Sequence, residues 1–145
     1  MTDITRVLAA FCAGLSHDAL PLEVIKRTKL LILDTAGIIV RARHDAESTP
    51  SLMAAVERLG LTGGECSVLG DGVAYAPTAA ALVNGTLAHS LDFDDTHAAA
   101  SLHSSAPILP AALAAAEMAG ASGKDLITAI VAGYEVQIRL SLALG

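Results

Sequence analysis

Twenty-nine of the 145 residues are alanine, spread through stretches that carry few bulky side chains. Alanine has the highest helix propensity, and its small side chain lets two helices approach closely. Aromatic residues make up only 3% of the chain and tryptophan is absent, so few large rings can fill a wide interior. The length allows one domain with a sizeable core. These features predict an all-α fold, a bundle-like array of closely packed helices with thin cores.

Hydrophobic periodicity and helix punctuation predict about six helices. The first runs from about Asp3 to Leu15, with Ile4, Val7, Leu8, Phe11 and Cys12 on one face. Pro21 opens the second, as an N1 proline, and its apolar stretch reaches Val40. The third spans about Ala46 to Leu59 and stops at Gly60. Glycines at 63, 64, 70 and 72 then mark a loop with room for a short strand. No Lys-Ser/Thr pair follows them, so they are not a phosphate loop.

The fourth helix is expected from Pro77 to about Leu91. Asn84-Gly85 could turn a hairpin, but its flanks show no strand alternation, so Gly85 is read as a close helix contact. The fifth begins near Pro107 or Pro110, with Ser104 or Ser105 as caps, and ends at Gly120. Ser122-Gly-Lys-Asp125 is a capping-box pattern for the sixth, which runs to about Leu144.

Charge and hydropathy exclude several classes of partner. A net charge of −6 offers no basic stripe for nucleic acid. Mean hydropathy is high, +0.57, yet no run of 18 or more apolar residues lacks a polar break, so a membrane span is not expected. Residues 126–134 read instead as a buried helix of a larger body. Cys12 and Cys66 are too few for an iron–sulfur cluster and read as plain thiols. The start, Met1-Thr2-Asp3-Ile4, has neither a basic n-region nor an apolar h-region, so a cytoplasmic location is expected.

Against this apolar background, residues 88–103 hold three aspartates and three of the five histidines. No lysine or arginine occurs between Arg58 and Lys124. His89 and Asp92, three residues apart, would share a helix face. Asp94, Asp95, Thr96 and His97 fall at or past the helix end, and His103 just before the next helix. Loop capping is one reading. A His/Asp metal site is a second, although no His-x-x-x-His or Glu-x-x-His pattern recurs. Acid–base catalysis by a histidine with an aspartate partner is a third. No Gly-x-Ser-x-Gly elbow accompanies it, so proton abstraction fits better than acyl transfer.

Three segments together resemble the MmgE/PrpD family. They are Asn84-Gly-Thr-Leu-Ala-His-Ser-Leu-Asp-Phe-Asp-Asp-Thr-His97, His103-Ser-Ser-Ala-Pro-Ile-Leu-Pro-Ala-Ala-Leu113 and Gly133-Tyr-Glu-Val-Gln-Ile-Arg139. The family includes 2-methylcitrate dehydratase, cis-aconitate decarboxylase and iminodisuccinate epimerase. The resemblance implies that residues 1–145 form the N-terminal part of a large helical domain, without the smaller lid domain. It implies a cofactor-independent lyase with no metal, a small di- or tricarboxylate substrate and a homodimer. It puts Asp92 and His103 at catalytic positions, with His103 as the proton-transfer group and Asp92 as its partner. Thr96 and His97 fall at substrate-binding positions. The family's His-Pro-Ser reads His103-Ser104-Ser105 here. Frequency within the family puts dehydration of 2-methylcitrate first among the activities.

Polycarboxylate substrates need cationic clamps, which residues 59–123 cannot supply. Arg139 is a candidate, but Glu135 four residues earlier is placed to pair with it. The clamps are therefore expected in sequence beyond these residues.

Overall fold

The computed structural model describes residues 3–144. Within them the chain forms six α-helices and one small antiparallel ribbon: α1 (Ile4–Gly14), α2 (Leu22–Asp45), α3 (Thr49–Arg58), β1 (Thr62–Ser67), β2 (Ala74–Tyr75), α4 (Pro77–His89), α5 (Ser105–Ala119) and α6 (Gly123–Leu144). The mostly helical reading holds.

Local chemistry sets most of the boundaries. Asp3 caps α1 by accepting from the Arg6 N–H at 3.2 Å. Pro21 is the N-cap of α2, one position earlier than expected. α2 also runs past Val40 to Asp45, because Ala42 is fully buried and the Thr49 hydroxyl donates to its carbonyl at 2.9 Å. The capping box of α6 is reciprocal: Asp125 N–H donates to the Ser122 hydroxyl (3.3 Å) and Ser122 N–H to the Asp125 carboxylate (3.0 Å).

α4 is the central helix. It buries Ala79, Ala80, Val83, Leu87 and Ala88 against α2, α5 and the ribbon. Ile39, Val56, Cys66 and Tyr75 complete the same core. Burying a side chain such as Leu87 or Ile39 contributes about 1.5–3 kcal/mol. Gly85 does mark a close helix contact: a Cβ there would sit 3.3 Å from the Ala106 carbonyl of α5. In the ribbon, a Cβ on Gly64 would fall 2.1 Å from the Tyr75 carbonyl, so only glycine fits.

The ribbon is tied down by side chains. Asp71 accepts from Arg43 at 3.0 Å and from the Tyr75 hydroxyl at 2.9 Å. Burial, then the Asp71 carboxylate, pushes the Tyr75 phenol up to about 12. Asn84, buried on α4, acts like a strand edge. Its amide accepts from Leu69 N–H (2.9 Å) and donates to the Ser67 carbonyl (2.8 Å). Asn84→Ala leaves both backbone groups unpaired and is expected to cost about 1–3 kcal/mol, read from the denaturation midpoint.

Among the described residues α6 is only partly covered. Only Ile127 and Ile130 are buried, and the rest of its length is half-buried or exposed. Its length and mean hydropathy of 1.3 would suffice to cross a membrane. Its contacts with α2 and α5 and its Glu135–Arg139 ion pair are those of a helix packed on protein.

Candidate active site

α4 ends at His89, and the chain then folds back on itself. The Asp92 N–H donates to the His89 carbonyl at 3.1 Å, and Asp92 adopts a left-handed φ of 55°. Asp92 therefore lies outside the helix, and the expected His89–Asp92 helix face does not form. The carboxylate that meets the histidines is Asp94. Its oxygens lie 3.0 and 3.1 Å from Nδ1 of His89 and 3.2 Å from Nδ1 of His103. The two rings meet edge to face with centroids 4.8 Å apart.

Both histidines border a cleft of about 610 Å³ between α4 and α5, whose wall also includes Gly85, Thr86, Ser90 and Ala106. No lysine or arginine lines it. Asp92 and Thr96 are exposed and stand outside this wall, although an Asp92 oxygen comes within 4.8 Å of the ligand atoms of His89, Asp94 and His103. His97 is turned to its own loop: its Nδ1 accepts from the Ala100 N–H at 3.1 Å and caps a 3₁₀ turn over Ala98–Ala100.

Ser104 occupies the N-cap of α5 but makes no side-chain cap bond. The cap comes from Asp95, which accepts from the Ser105 N–H at 2.9 Å. The anion at this helix N-terminus is thus one of the chain's own carboxylates. The other Asp95 oxygen accepts from the Tyr134 hydroxyl at 2.8 Å, and Tyr134 also contacts the Ser105 hydroxyl. Burial pushes the Tyr134 phenol up and Asp95 adds to this, outweighing the opposing bond from Ser105, so Tyr134 stays a donor. Arg139 is held by Glu135 at 2.6 and 2.9 Å, the pairing their spacing predicts.

His89, Asp92, Asp94 and His103 have a donor set that suits zinc or iron, with ligand atoms within 4.8 Å of one another. Asp94, however, already directs both oxygens to imidazole nitrogens. The same contacts also let Asp94 and the two imidazoles hold and pass protons at the cleft.

Residue pattern, helical fold and cleft define a member of the MmgE/PrpD family: the chain matches its N-terminal domain over residues 6–145 and belongs to it. Among its relatives, human cis-aconitate decarboxylase is 36% identical, over 97% of this chain and 30% of that protein. The cis-aconitate decarboxylase-like protein oryM of Aspergillus oryzae is 33% identical, over 98% of this chain and 30% of that protein. The cis-aconitate decarboxylase of Aspergillus terreus is 31% identical, over 97% and 29%. The chain thus spans about 30% of the length of these relatives.

Proposed function

We propose that these residues form the proton-handling part of a lyase acting on a small di- or tricarboxylate, with decarboxylation of cis-aconitate as its reaction. The observation that carries this is the run of relatives named as cis-aconitate decarboxylases, each matched along nearly all of this chain. It moves decarboxylation ahead of the dehydration of 2-methylcitrate that family frequency favours. His103, on the cleft wall, is the proton-transfer group, with Asp92 within 4.8 Å of it and Thr96 further along the same polar segment.

In this reaction the bond from a CH₂ carbon to its carboxylate breaks and carbon dioxide leaves. The electron pair forms a new double bond, and the former alkene carbon next to another carboxylate takes up a proton. A histidine beside a carboxylate supplies such a proton near neutral pH. The cleft wall carries no lysine or arginine to hold the remaining carboxylates, so the reading places the clamps in sequence outside these residues.

The test is an assay of the full-length natural polypeptide on cis-aconitate, 2-methylcitrate and iminodisuccinate. The expected result is carbon dioxide release from cis-aconitate at a kcat/KM above that for either other acid. The 145-residue chain alone is expected to turn over little or nothing. Preference for 2-methylcitrate would replace decarboxylation with dehydration, and no turnover of any of the three would end the lyase reading.

A further inference from the structure

Asp94 has a fully buried side chain in a stretch with no lysine or arginine. A carboxylate cannot donate, so it needs N–H or O–H donors around it. The groups at its oxygens are Nδ1 of His89 and Nδ1 of His103. Nδ1 of His103 is itself buried and has no hydrogen-bond partner among the described residues. It faces an Asp94 oxygen at 3.2 Å without the alignment of a hydrogen bond.

With Nδ1–H of each ring turned to Asp94, Nε2 is the nitrogen of each ring left to take up a proton and release it. Both rings border the cleft, His89 from the end of α4 and His103 from the lead into α5. We propose that Asp94 is a positioning residue that fixes both histidines as Nδ1–H tautomers, so that His89 joins His103 in presenting Nε2 to the substrate. The tautomers stand on the geometry alone; their effect on turnover rests on the lyase reading.

The test uses the full-length natural polypeptide, with ¹⁵N-labelled histidine, followed by two-bond ¹H–¹⁵N correlation from about pH 6 to about pH 9. His89→Gln and His103→Gln assign the signals. In the wild type, the neutral form of both rings is expected as Nδ1–H, the less common tautomer of a free histidine side chain. In Asp94→Asn at least one ring is expected to return to Nε2–H. Turnover of Asp94→Asn should fall roughly 10²–10⁴-fold in kcat with KM changed only a few-fold, since Asp94 lies behind the rings. His89→Gln should lower kcat/KM at least tenfold.

Wild-type rings in the Nε2–H form would overturn the proposal even if Asp94→Asn failed to fold. So would kcat of a folded Asp94→Asn within twofold of wild type. One equivalent of zinc or iron in the purified protein, bound through the Nδ1 atoms, would overturn it too. Nδ1–H tautomers together with no activity on any of the three acids would sink the lyase reading and leave the positioning role standing.

Discussion

Replacing His103 by alanine in the full-length polypeptide is expected to lower kcat roughly 10²–10⁴-fold, the usual worth of a positioned acid–base group. The fold should survive. His103 is half-buried, its Nδ1 forms no aligned hydrogen bond, and Asp94 keeps His89 as a partner. KM should move only a few-fold, because the proposed carboxylate clamps are not on this cleft wall. Circular dichroism and the denaturation midpoint would check the fold, and steady-state kinetics on cis-aconitate the rate. A His103→Ala protein with full kcat would remove His103 from the chemistry. His97→Ala is the informative control. That ring caps its own 3₁₀ turn, so its loss should loosen the loop without removing a proton donor from the cleft.

The parts of this fold that were legible in the sequence are those fixed by nearby residues. Alanine content and helical periodicity lead to six helices. The Ser122–Asp125 box is local and formed as read, and so did the Glu135–Arg139 pair. Where a boundary depends on a distant partner, local signals mislead. Ser104 and Ser105 look like the cap of α5, but the capping carboxylate is Asp95, ten residues back. α2 outruns Val40 because its last turn is anchored by Thr49 and, through Arg43, by Asp71.

The site shows the same division. The segment 88–103 stands out by composition, and His103 does reach the cleft. Which aspartate meets it was not legible, because the His89–Asp92 spacing has meaning only while the helix continues. The helix stops at His89, and a left-handed Asp92 swings Asp94 inward instead. Thr96 and His97 stay off the cleft wall, and His97 turns to the Ala100 N–H. Tyr134 sat in plain view in the Gly-Tyr-Glu segment, but nothing local tied it to Asp95, 39 residues away.

That long-range tie carries the second large prediction. Asp95 joins three elements: it caps α5 through Ser105, it receives the Tyr134 hydroxyl of α6, and it sits in the segment that carries Asp94 toward His103. Asp95→Ala removes a helix cap worth about 1 kcal/mol and a charge-assisted hydrogen bond worth about 1.5–3 kcal/mol. The expected loss is about 2–4 kcal/mol, read from chemical denaturation. Asp95→Asn keeps an acceptor for the Ser105 N–H and should lose less than half as much. Tyr134→Phe removes the bonds to Asp95 and to the Ser105 hydroxyl but leaves the cap, and should cost about 1.5–3 kcal/mol. If the tie is real, Asp95→Ala and Tyr134→Phe will be less than additive, because the first mutation already breaks one of the bonds that the second removes. Full additivity would mean that Tyr134 and Asp95 stabilise the fold separately. The cap would then hold the lead into α5 without help from α6.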